Sequence, residues 1–231
     1  MKRFYAQAGV SEVEYGFTVT LDGRGIKTQG GRALAVPTRA LAEMLAAEWN
    51  AQGDTLDPKT FVARDMADYA IDVVKDDRHA LEEKLLGYAG TDTLSYRADP
   101  DEPLWRRQQE IWEPVLTALE AREGVELPRV SGVIARPVSQ ESLAALRSKL
   151  ETFDAFQFAA LDTLTSLAAS LAIGLSALEP DADLDALWDA ANLEEDWQAE
   201  QWGADEEATA RRAARTAQFQ AAKRFADAAR V

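Results

Sequence analysis

Three side chains late in the sequence could act together in recognition. Glu195, Gln198 and Trp202 lie at positions i, i+3 and i+7, so a helix would present them on one face. They offer a carboxylate, a carboxamide and an indole, which combine directional hydrogen bonding with a large apolar surface. Gly203 follows, the residue type most often found just past a helix end. On spacing alone, an amphipathic helix that packs Trp202 into the core is the favoured interpretation, and a binding face is the alternative.

Other candidate chemistries lack the spacing they require. The segment from Gly23 to Thr28 has the composition of a phosphate loop, but Ile26 occupies the place of the second glycine. His79 is the only histidine, and no GxSxG-type elbow accompanies it. His79 and Glu83 have the i, i+4 spacing of two metal ligands, yet a single histidine and a single carboxylate make a weak site. We therefore predict no catalytic residue, no metal and no cofactor.

Paired carboxylates keep one enzymatic alternative open. Asp and Glu together number 40, so close acidic pairs arise by chance. The run at 205–207 places negative charge at a predicted helix start, which is favourable there without catalysis. A small hydrolase using an acidic pair remains possible in sequence terms, and it would require two convergent carboxylates with raised pKa values in a cleft.

Composition bounds the function further. The 231 residues carry a net charge of −15, which disfavours nucleic acid because phosphate binding depends on clustered Lys and Arg. There are no cysteines, so disulfides and thiolate sites are excluded. The apolar stretch 159–178 is interrupted by Asp162, Ser166 and Ser170 at every fourth position, which favours a buried bundle helix over a membrane span. We predict no membrane insertion.

Hydrophobic periodicity predicts an α+β protein, with a small β-rich N-terminal domain followed by a larger, mostly α-helical domain. Alternation over Tyr15 to Leu21, followed by Asp22-Gly23, predicts a β-hairpin whose return strand covers 26–28. Helical spacing dominates after Thr38, a candidate helix cap. We place the domains at 1–50 and 51–231. The long predicted helices cover 104–122, 142–178 (broken near position 154), 184–202 and 206–229, with a loop at 125–138.

Several sequence blocks, taken in order, resemble the Atp12 family of assembly chaperones for the F1 part of ATP synthase. The C-terminal block is Glu195-x-x-Gln198-x-x-x-Trp202-Gly203. The earlier blocks are Arg3-Phe4-Tyr5, Val19-x-Leu21-Asp22-Gly23-Arg24-x-x-Lys27-Thr28, Leu34-x-Val36-Pro37-Thr38, Glu48-Trp49-x-x-Gln52, Tyr88-x-x-Thr91-Asp92-x-Leu94-x-Tyr96 and Leu104-x-x-x-Gln108-x-x-x-Trp112-x-Pro114. Each block alone is a weak pattern, but together they cover nearly the whole chain.

The resemblance implies a non-enzymatic chaperone whose client is the unassembled F1 α subunit. Free α exposes apolar surface that β later covers, and the chaperone would shield this surface until β displaces it. It also implies a β-domain joined to an α-helical domain. The oligomeric state is not readable from the sequence, and a monomer is favoured. The chain start resembles neither a secretory signal nor a transit peptide, so we expect the bacterial cytoplasm, or the mitochondrial matrix for a trimmed form.

The resemblance marks the acidic position of the C-terminal block as functional, which selects Glu195 as the main client contact. It would form a charge-assisted hydrogen bond to a donor on the client, with Gln198 and Trp202 beside it. Glu194 is included because a register shifted by one residue would place it at that position. Members of that family often carry a His-Asp pair further on, and this chain has none after Gly203.

Three further matched residues are polar and stand beside predicted core aromatics. They are possible secondary contacts, but the role of buried hydrogen-bond partners that lock helices together is favoured over client contact. These residues are Glu48, Asp92 and Gln108. A structural adaptor is the remaining alternative function, and it predicts two separate exposed apolar patches where a chaperone needs one.

Overall fold

The computed structural model describes residues 1–132, 134, 136–203 and 205–230. Positions 133 and 135 of the predicted loop at 125–138 lie outside the described residues. The described residues confirm the α+β prediction, because antiparallel strands are concentrated near the N-terminus and helices occupy most of the remaining chain.

The N-terminal strands form one antiparallel sheet in the order β1-β2-β3. They are β1 (Ala8–Val13), β2 (Gly16–Leu21) and β3 (Arg24–Gly25). Asp22 and Gly23 have φ values of 48° and 80°, the conformation of a two-residue primed turn, which confirms the predicted hairpin. The bounds predicted for the return strand, 26–28, are wrong, because the strand that pairs with β2 is Arg24–Gly25. The Ile26 N–H still donates to the Val19 carbonyl at 3.1 Å, and Lys27 forms an isolated bridge with Ala33. A short parallel pair, β4 (Tyr96–Arg97) and β5 (Val130–Ser131), lies later in the chain.

Helices account for most of the described chain. They are α1 (Arg39–Asn50), α2 (Val62–Tyr69), α3 (Arg78–Thr91), α4 (Pro103–Glu123), α5 (Gln140–Glu151), α6 (Ala155–Ala168), α7 (Leu171–Ala177), α8 (Leu184–Ala191), α9 (Leu193–Trp202) and α10 (Glu206–Ala229). Thr38 caps α1 as predicted, since its hydroxyl oxygen accepts the Leu41 N–H at 3.1 Å. No helix within the described ranges combines the length and hydropathy that a membrane crossing requires.

The chain forms two compact units, and neither is one continuous stretch of sequence. The N-terminal unit comprises Met1–Arg78, Phe153–Ala160 and Ala221–Val231. The helical unit comprises His79–Thr152 and Leu161–Gln220. The N-terminal unit contains the three-stranded sheet and the pair α1 and α2, whereas the helical unit contains α4, α5, α7, α8 and α9.

The predicted helix at 184–202 is wrong as a single element, because the chain breaks at Asn192. Asn192 leaves helical geometry at φ −110° and ψ 11°, and its side-chain amide donates to the Trp188 carbonyl at 2.7 Å. The Trp112 indole N–H donates to the Ala190 carbonyl at 2.8 Å. These side chains satisfy carbonyls at the end of α8 that a continuous helix would have used. The stripe of Glu195, Gln198 and Trp202 therefore lies on the short helix α9.

The predicted polar stripe at 162, 166 and 170 does not run along one helix. Ala169 adopts a φ of 49° and ends α6, and Ser170 becomes the N-cap of α7. Its hydroxyl oxygen accepts the Ile173 N–H at 3.0 Å. Ser170 is therefore a capping residue within the helical unit rather than part of a stripe.

Candidate functional site

The outer face of α9 carries the predicted stripe in an exposed position. Trp202 is 80% exposed, and Glu195 and Gln198 are exposed beside it. The interpretation that packs Trp202 into the core is therefore wrong. A soluble domain exposes scattered apolar residues routinely, but an exposed indole next to hydrogen-bonding side chains has the composition of an interaction surface.

Helix α9 and the start of α10 enclose a shallow hollow of about 490 Å³. Gly203, at φ 87°, ends α9, as the sequence predicts, and lets the chain turn between the two helices. The side chains that line the hollow include Glu195, Asp196, Gln198, Trp202, Thr209 and Arg212. All three residues of the predicted stripe are thus brought to one concave surface within the helical unit.

The acidic residues that surround Glu195 are bound within the helical unit. Asp196 accepts from Arg212, with Oδ2 at 3.0 Å from Nη2. Glu200 forms a bidentate pair with Arg107 at 2.6 and 2.8 Å, and this guanidinium lies 5.7 Å from the Trp197 ring centre. The pair with Arg107 holds the pKa of Glu200 below its ordinary value.

Glu195 differs from these neighbours. Across the described residues, the structure records no hydrogen bond or ion pair to its carboxylate, although the side chain is exposed and faces the hollow with Trp202. A carboxylate in this state keeps its full capacity to accept from a donor on another molecule. The geometry therefore favours Glu195, rather than Glu194 or Asp196, as the acid available to a partner.

Glu194, which the sequence also offers as a client contact, turns toward Gln108. The Gln108 side-chain amide donates to Glu194 Oε1 at 2.7 Å, while Gln108 Oε1 accepts the Ala98 N–H at 2.8 Å. Gln108 is fully buried. Burial of the Glu194 carboxylate raises its pKa, and the hydrogen bond from Gln108 opposes that rise. Although the residue as a whole is exposed, its carboxylate belongs to this internal link.

Asp92 lies in the turn that follows α3, and its fully buried carboxylate contacts the start of α7. Its carboxylate accepts the Ala172 N–H at 3.0 Å and the Leu94 N–H at 3.0 Å. Burial raises the pKa of Asp92, and the hydrogen bonds from Ala172, from Ser170 and from Leu94 act against that rise. The residue fastens the start of one helix to the turn that follows α3, and its carboxylate is inaccessible to another protein.

Glu48 holds the start of α2 in the N-terminal unit. Its two oxygens accept the N–H groups of Ala63 and Arg64 at 2.6 and 2.9 Å. The residue before the helix, Phe61, offers no side-chain cap, so Glu48 supplies the acceptors from another helix. Burial raises the pKa of Glu48, and these backbone hydrogen bonds oppose the rise. Glu48, Asp92 and Gln108 thus share an internal structural role.

The N-terminal unit contains an acidic pair with raised pKa values, as an acid–base enzyme would need. Burial raises the pKa of both Asp65 and Asp68. Gln29 binds both, since its side-chain amide donates to Asp65 at 3.0 Å and its backbone N–H donates to Asp68 at 3.2 Å. The pair therefore fastens a loop of the N-terminal unit. Within the described residues, no group of three or more His, Cys, Asp or Glu side chains could hold a metal ion.

Sequence reasoning missed the basic residues that select Glu195. Arg107 lies 93 positions from its partner Glu200, and Arg212 lies on the helix after its partner Asp196. No local spacing connects these residues, so the free acid could be distinguished from the bound acids only after the fold was known.

Comparisons with known proteins identify the family. The model of the family described as ATP12 chaperone protein matches residues 2–120. Protein atp12, mitochondrial, from Schizosaccharomyces pombe is 26% identical over 219 residues, covering 90% of this chain and 75% of that protein. The crystal structure of Atp12 from Paracoccus denitrificans superimposes with a TM-score of 0.92 at 36% identity, covering 99% of this chain and 98% of the other. The Atu1473 protein from Agrobacterium tumefaciens gives a TM-score of 0.94 at 38% identity, covering 99% and 86%. From the match of its sequence to the family model and of its fold to these solved structures, this chain belongs to the Atp12 family of chaperones.

Proposed function

We propose that this protein is a non-enzymatic chaperone of ATP synthase assembly that binds the unassembled F1 α subunit. It shields the surface of α that faces β, and β displaces it during assembly. Membership of the chaperone family supports the general role. Among the described residues, Glu195 has no recorded partner and lies beside the 80% exposed Trp202, and this observation supports a client contact on α9.

The chemistry of this surface defines the complementary part of the client. Glu195 can only accept hydrogen bonds when ionised, so it selects a backbone N–H or a basic side chain. Trp202 supplies apolar area at the edge of the same hollow, and Gln198 can both donate and accept. We therefore expect a donor-bearing segment of α next to an apolar side chain.

Release by competition needs no ATP hydrolysis in this chain. The affinity of β for α must exceed that of the chaperone, and the difference sets the direction of exchange. The expected location is the bacterial cytoplasm, or the mitochondrial matrix for a trimmed form, and the Schizosaccharomyces pombe relative is named as mitochondrial.

Affinity capture from cells that co-express the chain with α alone or β alone tests this proposal. We expect the chain to recover soluble α and not β. Glu195→Lys replaces an anionic acceptor with a cationic donor, and it should lower recovery of α by at least about 10-fold without changing the unfolding midpoint. Glu12→Lys is the matched control, because Glu12 is exposed on β1 and its substitution by lysine changes the charge by the same amount. Failure to capture α would overturn the client assignment, and equal losses in both variants would overturn the site.

A structural adaptor is the second candidate, and exposed apolar residues in both units favour it. Phe4 and Tyr15 of the N-terminal unit are 62% and 81% exposed, and Trp202 of the helical unit is 80% exposed. The same capture experiment separates the two functions. An adaptor retains two different proteins in one complex, whereas a chaperone that β displaces loses α when β is added.

A further inference from the structure

The N-terminal unit contains a cavity of about 790 Å³ that the proposed function does not use. Its apolar wall includes Phe4, Tyr5, Ile26, Trp49, Leu56 and Phe61. The Trp49 ring contacts the rings of both Tyr5 and Phe61, with ring centres 5.4 Å and 4.6 Å apart respectively. This volume lies within the range of cavities that enclose a drug-sized ligand or a short stretch of peptide.

The charged residues around this cavity are mostly basic, although the chain has a net charge of −15. Arg24, Lys27 and Arg64 line it, with Asp22 as the acidic lining residue. The Asp22 carboxylate already accepts the backbone N–H groups of Ala6 and Gln7, and these bonds hold its pKa below the ordinary value. The structure records no ion pair for the side chains of Arg24 or Lys27 across the described residues. Local charge therefore favours an anionic ligand here.

Two lining residues also carry buried donors. Trp49 is 5% exposed, and its Nε1 has no hydrogen-bond partner in the described residues. The Arg64 Nε is likewise buried without a hydrogen-bond acceptor, and it forms an ion pair with Asp68, whose nearest oxygen lies 3.7 Å away. The Arg64 guanidinium lies 5.0 Å from the Trp49 ring centre and 5.2 Å from that of Phe61. The Arg64 guanidinium thus lies against the aromatic wall and keeps positive charge beside the cavity.

We propose that this cavity is a second binding site, for a segment of a partner protein in which a carboxylate lies next to a large apolar side chain. The apolar side chain packs against the aromatic wall, and the basic lining residues bind the carboxylate. Its preference is opposite in charge to that of the α9 surface, where Glu195 selects a donor. The site lies wholly in the N-terminal unit, and its test uses no ATP synthase subunit, so its failure is distinct from failure of the proposed function.

Nuclear magnetic resonance of the full chain, labelled with ¹⁵N at the tryptophan indoles, tests the site directly. The probe is the peptide acetyl-Gly-Asp-Phe-Leu-Gly-amide, and Trp49→Phe assigns the Trp49 signal. We expect the peptide to shift that signal. Replacing its Asp by Asn should weaken binding by at least about 10-fold, and replacing it by Lys should weaken binding further. An Asn peptide that binds as tightly as the Asp peptide, or shifts confined to Trp197 and Trp202, would overturn the proposal.

Charge reversal on the rim gives the second test. Arg24→Glu combined with Lys27→Glu should weaken binding of the Asp peptide by at least about 10-fold, because both residues are exposed and contribute charge rather than packing. Arg224→Glu is the control, an exposed arginine of α10 that does not line the cavity, and it should change binding by less than about twofold. Unchanged binding in the double variant would refute the site. If that variant unfolds, Arg24→Gln with Lys27→Gln gives the same comparison through loss of charge.

Discussion

Two carboxylates of the helical unit, Asp92 and Glu195, show opposite uses of the same chemical group. Asp92 is fully buried and accepts backbone N–H groups at the start of α7 and in the turn after α3. Glu195 stands on the outer face of α9, exposed and with no internal partner recorded among the described residues. Both belong to sequence blocks that resemble the family, so sequence position alone does not separate them.

The two carboxylates differ in the source of their hydrogen-bond donors, which is the fold for Asp92 and water or another molecule for Glu195. A buried carboxylate must be satisfied by the fold, since leaving it or its donors unpaired is costly. An exposed carboxylate is satisfied by water and can exchange water for a partner at little structural cost. We therefore expect changes near α7 to affect stability, and changes on α9 to affect binding.

The largest expected effect on stability comes from Asp92→Ala. The substitution leaves the N–H groups of Leu94 and Ala172 buried without an acceptor, so the free energy of unfolding should fall by about 3 kcal/mol. Urea unfolding measures it. Asp92→Asn keeps one acceptor oxygen and should lose less. If the free energy of unfolding of the alanine variant falls by less than about 0.5 kcal/mol, the Asp92 carboxylate has no structural role of the kind that distinguishes it from Glu195.

Trp202→Ala tests the opposite side of the comparison. Because the indole is 80% exposed, the free energy of unfolding should change by less than about 0.5 kcal/mol. Affinity for α should fall by about 30-fold, as for a tryptophan at the centre of an interface. Binding of purified α, measured by calorimetry, gives this value. Tyr15→Ala, which removes an aromatic ring that is 81% exposed in the N-terminal unit, should leave the affinity unchanged.

Glu48→Ala extends the comparison to the N-terminal unit. It removes the acceptors for the Ala63 and Arg64 N–H groups, so the free energy of unfolding should fall by about 1 kcal/mol, as for loss of a helix cap. Glu43→Ala is the control, because Glu43 is exposed on the same helix. Equal urea midpoints for the two variants would show that the capping bonds contribute nothing measurable.

The smallest expected effect is a change in pH dependence on Glu194→Gln. Burial raises the pKa of Glu194, so the folded protein holds this proton more tightly than the unfolded chain does. Its contribution to stability is therefore most favourable below the ordinary pKa and declines as pH rises through the folded pKa. Relative to the parent, the glutamine variant should gain stability as pH rises from about 4, the ordinary range of a glutamate, through the raised pKa of the folded state. Parallel urea profiles over that interval would contradict this prediction.

The fold class and the main turn could be predicted because their signals are local. Asp22-Gly23 specifies a primed turn through its own backbone preferences, and the structure shows it. The break at Asn192 could not be predicted, because Asn occurs within many helical patterns. The helix breaks at Asn192 because the Asn192 side-chain amide and the indole of the distant Trp112 both donate hydrogen bonds to carbonyls of α8. Similarly, the predicted domains 1–50 and 51–231 are each one continuous stretch of sequence, whereas the compact units gather distant segments.

The sequence by itself determined the α+β class, the family resemblance and the stripe of Glu195, Gln198 and Trp202, because periodicity and residue order are local properties of the chain. Only the tertiary structure decided that Trp202 is exposed and that Glu195 has no recorded partner among the described residues. The second outcome depends on Arg107, Arg212 and Gln108, which reach the neighbouring acids through the fold and bind those acids rather than Glu195.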